Sequence, residues 1–364
     1  MRRLRVALAA AVALGCALPY AATAQICGNF CYAPPSPSPT EAPGVVNNSV
    51  NAGLFDLGSS FLWKQVNGGG TPSTGDQSTG GGASPNDQVQ QRFRSWGEGY
   101  GLWSKTSDFD GIIGDSRRTA GLVGGFGYTV TPSVNVGFAV DQSWTNVAVN
   151  GLPQSAQYGL TQLGANSQIT FGKFTLGLAG VYGFADVDTS RGTVPPTSVS
   201  VAAYNAKVYA AMADLGYFVP LGNARFVPKV AIDWIRVAAD GFSEVGGFDP
   251  ETVAPQTSDR VRAYLGFEVG QTWVADKTLF DLSGYARFVD ILSETGFSVL
   301  VTSAGAPGVP ETVQGATEGH YGLDAGASAS VRVSQALRFY VNYDTRLRDH
   351  YQAQIGTVGV EVKW

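Results

Sequence analysis

Charge is scarce in this chain. Asp, Glu, Lys and Arg together make up 15% of its 364 residues, against about a quarter in an ordinary soluble domain. The few charges nearly cancel, to −5 at pH 7, which leaves no basic surface for nucleic acid. Only His320 and His350 supply imidazole, so a histidine-rich metal site or a histidine-based triad has little material. No cofactor and no enzymatic activity are expected. Beyond the first two dozen residues no apolar run approaches the ~18 residues of a spanning helix, so any membrane passage must be made by strands. What is abundant is glycine, at 47 residues, and aromatics, at 11%.

Residues 1–24 read as a secretory signal peptide. Arg2, Arg3 and Arg5 form a basic end, Val6 to Leu18 an apolar stretch, and Ala22-Thr23-Ala24 a small-residue cleavage site. The two cysteines that follow, Cys27 and Cys31, read in an exported chain as a small local disulfide. Residues 25–92 lack the composition of a compact domain. Pro34, Pro35, Pro37, Pro39 and Pro43 favour an extended segment, and Gly68 to Pro85 is linker-like. Between them, Leu54, Leu57, Phe61 and Leu62 recur on one helical face and predict a short helix over 51–66. Such a helix can thread or plug a barrel, lie at a membrane interface, or bind a partner.

From Phe93 to Trp364 the pattern is alternation with period two, in runs of about ten residues separated by turns. One face is apolar. The other carries Asp141 in one run, Arg260, Arg262 and Glu268 in another, then Asp281 with Arg287, Asp324 with Arg332, and Arg338, Asp344 and Arg346. Short connections such as 131–133, 171–173 and 334–335 alternate with long ones at 106–118, 190–200, 242–258 and 296–317. That asymmetry is the pattern of an outer-membrane barrel, with short periplasmic turns and long surface loops. The fold class predicted is all-β: a transmembrane antiparallel β-barrel of about twelve strands, preceded by the signal peptide and a short low-complexity segment. The Val/Leu/Phe face meets lipid, and the charged face lines the lumen, where it can brace the wall as paired charges or tune ion passage. Trp96, Trp103, Trp144, Trp234, Trp273 and Trp364 suit an interfacial aromatic girdle.

The run Tyr351–Trp364 illustrates the two faces most clearly. Val358, Val360, Val362 and Trp364 share the apolar side, while Thr357, Glu361 and Lys363 share the polar one. An uncapped strand of this kind is a liability in a soluble sheet, but closes a barrel when it pairs with the first strand.

Several segments resemble the autotransporter β-domain, the outer-membrane barrel of type V protein secretion. Trp96-Gly97-Glu98-Gly99-Tyr100-Gly101 and Thr119 to Gly125 are similar to its opening. Gly216 to Gly222, Pro228 and Gly241 to Glu244 resemble its central hairpin, and Tyr343-Asp344 with Gly359 to Trp364 its ending. The resemblance implies a twelve-stranded, monomeric barrel in the lipid bilayer of the bacterial cell outer membrane that helps carry an N-terminal passenger to the cell surface. It further implies that the last strand, with Val358, Val360, Val362 and Trp364, is the assembly signal read by the β-barrel assembly machinery, with periplasmic chaperones as further partners. Family members usually carry passengers of hundreds of residues; here only 25–92 stand before the barrel. The functional expectation is translocation or display of that short segment. The alternative is a passive pore, or a structural or adhesive outer-membrane protein, with the segment as its plug. Gly114-Asp115-Ser116 resembles part of a lipase block, but lies in a connection without a partner base and carries no enzymatic reading.

Overall fold

A computed structural model describes residues 43–67, 92–193, 198–275 and 278–364. The expected signal peptide and the expected disulfide pair Cys27 and Cys31 lie outside the described residues. Twelve long strands follow one another around a closed wall: β1 (Phe93–Thr106), β2 (Asp115–Thr131), β3 (Val134–Val149), β4 (Gln154–Phe171), β5 (Phe174–Thr193), β6 (Ser198–Tyr217), β7 (Ala224–Ala239), β8 (Gln256–Ala275), β9 (Thr278–Thr295), β10 (Tyr321–Arg332), β11 (Leu337–Arg348) and β12 (Tyr351–Lys363). Each pairs antiparallel with its successor. β12 then pairs with β1, from Arg94 opposite Lys363 to Thr106 opposite Tyr351, and the ladder has no free long edge. Hydrocarbon offers backbone groups no hydrogen-bond partner, so closure is what lets the sheet cross a membrane.

The alternation fixes the register. Outward positions include Leu122, Phe138, Leu178, Ile232, Leu265, Leu282, Val341 and Val358, all exposed in the isolated chain; this is the surface that lipid covers. Slipping one strand by a single residue would turn its charged set into that lipid. Trp103, Trp144 and Trp234 stand outward towards the long-loop end, and Trp273 and Trp364 towards the short-turn end. Trp96 departs from the girdle expectation. It shares parity with Glu98 and Tyr100, and its ring is buried inside, over the space left by Gly125 on β2.

The two ends of the barrel differ as the loop lengths predict. At one end Pro132-Ser133 and Gly172-Lys173 join strands directly, Gly172 adopting a φ of +61° that other residues rarely take. At the other end lie 240–255 and 296–320. The long-loop side is less uniform than expected: residues 107–114 suffice after β1, and only Asp349-His350 joins β11 to β12. The two longest loops are not structureless either, and contribute four short strands of a second sheet.

The closing seam is held at its short-turn end by reciprocal bonds. Phe93 N–H donates to the Trp364 carbonyl and Trp364 N–H to the Phe93 carbonyl, both at 2.9 Å. The two rings stack at 5.3 Å beside Phe126 and Tyr128. Val360 sits opposite Gly97 across this seam, on the outward face. A cation placed there enters hydrocarbon, so Val360→Arg is expected to lower the stability of the vesicle-inserted barrel by about 2–4 kcal/mol in denaturant titration, whereas an unchanged midpoint would contradict the assigned face.

Candidate functional site: a helix-filled lumen

Inside the wall runs one helix, α1 (Gly44–Val66), longer than the predicted 51–66. Its first two turns, Gly44 to Asn51, contain three valines and three asparagines, poor helix formers that sequence propensity does not mark. They are helical because they are enclosed. Nearly every residue of α1 is buried, including Asn47, Asn51, Asp56 and Gln65, so its polar groups must be satisfied by the wall.

Wall side chains meet them at three heights. Near the long-loop end, Gln256 on β8 accepts from Asn47 Nδ2 at 2.7 Å and Asn51 Nδ2 at 2.5 Å, and donates to Asn48 Oδ1 at 3.0 Å. Midway, Asp56 accepts from the Tyr351 hydroxyl at 2.6 Å and lies 3.6 Å from the Arg117 guanidinium. Arg346 reaches the Asp56 carbonyl at 3.3 Å and Ser60 Oγ at 2.9 Å. At the short-turn end Lys64 pairs with Glu98 over the Tyr100 ring, and Asn166 Nδ2 donates to Gln65 Oε1 at 2.7 Å. Apolar contacts fill the rest. Gly58 faces Val208 and Ile235, and Trp63 meets Tyr264 edge-on at 5.1 Å.

The charges anticipated for the lumen face inward, and most occupy a lattice along the wall. Arg225 binds Asp281 and Glu268, and Lys229 lies 3.6 Å from Glu268. Arg262 bonds Asp233 through two nitrogens, at 3.1 and 2.7 Å, and Tyr264 donates to the same carboxylate. Arg260 spans Glu294 and Glu318; Arg348 meets Asp324 at 2.7 Å. Arg338 and Lys363 share Glu361. Asp141 accepts from Gln162 and Tyr100, and Asp344 from Tyr285. Arg332 sits half-buried on β10. Arg287 stacks 3.7 Å over the Trp63 ring and 4.1 Å over Tyr285, beside a crevice of about 70 Å³ that Lys64, Glu98, Asp344 and Arg346 also line. Val358, Val360, Val362 and Trp364 point away from all of this, to the outer face.

Sequence reasoning missed Glu98, Asp115, Arg117, Arg225 and Asp233, although the same alternation in β1, β2 and β7 marks them. Asp115 pairs with Arg117 inside the barrel at 3.1 Å while Ser116 is exposed outside, so the Gly114-Asp115-Ser116 string splits across the wall. Glu318 had no periodic signal, because it lies in a loop. Burial opposes its ionisation, but Arg260 and Arg348, with Arg262 behind them, hold its carboxyl below the usual range.

Above α1 the two longest loops form a lid. Its four strands run in the order Glu311–Gln314, Ser298–Ser303, Glu251–Val253 and Phe242–Ser243. The inward side chains Phe242, Val253, Phe297, Val299, Val301 and Val313 are buried in one cluster with Val45, Val46 and Phe55 of the helix. Phe55 and Phe297 stack at 5.4 Å, and the Arg260 guanidinium lies over both rings, at 4.8 and 5.1 Å. Arg191 on β5 ties the first of these loops to the rim: it donates to Glu244 at 3.0 and 2.5 Å and to the Asp249 carbonyl at 2.8 Å, and lies 3.6 Å from Glu251.

The model of the autotransporter beta-domain matches residues 95–344. No curated protein sequence matches the chain. Among solved structures, it is similar to the translocator domain of the autotransporter NalP from Neisseria meningitidis, at 15% identity and a TM-score of 0.67 over 90% of this chain and 100% of that one. It is also similar to the transport unit of the autotransporter AIDA-I from Escherichia coli, at 12% identity and a TM-score of 0.58 over 87% and 98%. The β-domain of the Bordetella autotransporter BrkA aligns at 10% identity, with a TM-score of 0.55 over 75% and 100%. At such identities these likenesses speak for the fold alone; the family match, which covers most of the chain, places it among barrels of the bacterial outer membrane. With its closed twelve-stranded wall, this chain belongs to the autotransporter β-domain family.

Proposed function

We propose that the barrel carries its own short N-terminal segment, residues 25–42 after removal of the signal peptide, to the cell surface and keeps α1 in the lumen as a plug. The direction of the helix carries this reading. Its Gly44 end lies under the long loops, against Val299 and Val313, and its Val66 end lies against Gly177 close to the Gly172 turn. In an outer-membrane barrel the long loops face outside and the short turns the periplasm. The chain therefore enters the helix from the surface side and leaves it on the periplasmic side, where Phe93 begins the wall. A segment delivered through the lumen ends in this arrangement; one that inserts from the periplasm as a plug has no need of it.

The last strand also serves assembly. Val358, Val360, Val362 and Trp364 form an outward, accessible edge motif before β12 pairs with β1, the kind of apolar strand end that an assembly machinery and periplasmic chaperones can grip. Cys27 and Cys31, joined as a local disulfide, would lie in the displayed segment.

An epitope inserted after Cys31 is expected to be labelled by antibody on intact cells and removed by external protease. Labelling only after the outer membrane is permeabilised would reject display and favour the passive-pore reading. The plug has its own measurement. Deleting 44–66 removes the side chains that fill the lumen, so single-channel conductance in a planar bilayer is expected to rise at least about tenfold; an unchanged conductance would mean that the helix does not obstruct the pore.

A further inference from the structure

We propose that the loop lid closes on α1 conditionally, sealing the surface mouth only when the first turns of the helix lie beneath it. Three independent contacts support this. On the apolar inner side of the lid Phe297 stacks on Phe55, and Val299, Val301 and Val313 lie over Gly44, all in one buried cluster with Val45 and Val46. Without the helix that face would meet the aqueous lumen, at about 25 cal/mol per Å² of apolar surface exposed. The approach is also close. A Cβ added at Gly44 would lie 2.8 Å from Val299 Cγ1 and Val313 Cβ and 3.0 Å from Val301 Cγ2, so glycine lets the sheet settle closest on the helix start and a bulky side chain pushes it away.

Gln256 makes the third contact. Its amide nitrogen donates both to Asn48 on the helix and, at 2.8 Å, to the Gly296 carbonyl at the start of the second lid loop. Ser258 Oγ donates to the same carbonyl at 2.6 Å. One side chain thus bridges helix and lid, with three partners on the helix and one in the lid. The Arg191 anchor alone holds only the first loop, through Glu244, Asp249 and Glu251. The second loop is tied to the wall near its ends, by Ser258 at Gly296 and by Arg260 and Arg348 at Glu318, whereas its strand Ser298–Ser303 rests on the helix cluster and on its pairing to the first loop, Glu251 to Val253 lying opposite Ser303 to Val301.

The consequence for transport is an order of events. While an extended segment occupies the lumen the lid has no surface to close on; when α1 arrives, the same valines that fill the mouth draw the loops down. This ordering rests on the proposed display function, whereas the dependence of the lid on the helix does not.

The anchor adds a pH signature. Burial pushes the Glu251 carboxyl up to about 7, opposed by Arg191 and reinforced by Glu244, Asp249 and, from the second loop, Glu311. Its closed-lid value lies above the ordinary one of 4.5, so the closed lid holds a proton that the open lid releases. The added stability is complete below about 4.5 and fades as pH rises through about 7. After correction for intrinsic exchange, lid amides are expected to exchange faster at pH ~8.5 than at pH ~6, and Glu251→Gln to abolish that difference. A pH difference that persists in this variant would reject the anchor as its source.

The direct experiment is hydrogen exchange by mass spectrometry on full-length protein in detergent, its barrel shown intact by heat-modifiable migration. Gly44→Phe wedges the lid from below, and Val46→Asp with Phe55→Asp removes the surface it rests on. Both are expected to speed exchange at 251–253 and 298–303 by about tenfold or more, with β7 and β8 unchanged. Arg191→Ala should release the first loop while α1 stays protected. If the lid retains wild-type protection in either assembled helix variant, its closure does not depend on the helix and the proposal fails. Surface labelling of the N-terminal segment is a separate readout, so loss of display and loss of lid coupling are told apart.

Discussion

Every backbone N–H and C=O that enters hydrocarbon must be bonded within the protein. In this chain that requirement forces the ladder from β1 to β12 to close, and closure turns the charged face of the wall to the interior. Inward positions have to be filled by something compatible with that charged wall. The chain fills them with salt-bridge lattices and one helix. The lattices give buried guanidinium and carboxylate groups their partners, as with Arg262 and Asp233, because an unpaired charge in such a place is costly. The helix supplies Leu54, Phe55, Leu57, Phe61 and Leu62, fully buried against the wall.

Because the helix is enclosed on all sides, its polarity is unusual for a core element. Asparagines and an aspartate are as buried as its leucines, and each height of the lumen has a matching receptor: Gln256, then Tyr351 with Arg346, then Glu98 with Asn166. Such pinning defines one rotation and one depth for the helix. A merely apolar plug could slide or turn, since dispersion contacts lack direction.

The barrel is legible in the sequence because period-two alternation in Arg260 to Val269 or Leu337 to Leu347 survives any tertiary detail. The assignment of faces follows from it, down to Thr357 and Glu361 inside and Val358 and Val360 outside. Two features escape for physical reasons. Residues 44–50 are helical only through enclosure, so propensity and a one-sided apolar pattern place the helix start too late. The lid pairs residues far apart in sequence, such as Thr252 with Thr302, within loops rich in Pro, Gly and Ser, where turn residues hide short strands. Composition alone puts Trp96 in the girdle; its parity with Glu98 turns it inward.

What these features share is the placement of the Gly44 end of α1 beneath the surface loops. The double variant Gly44→Cys with Val313→Cys tests it in outer membranes from intact cells, because only near-contact positions can form the bond. The arrangement described predicts a spontaneous disulfide between positions 44 and 313 that shifts gel mobility, and none in the control that pairs Val66→Cys with Val313→Cys. A link from position 66 to 313, or no link from 44 in an assembled barrel, would contradict it.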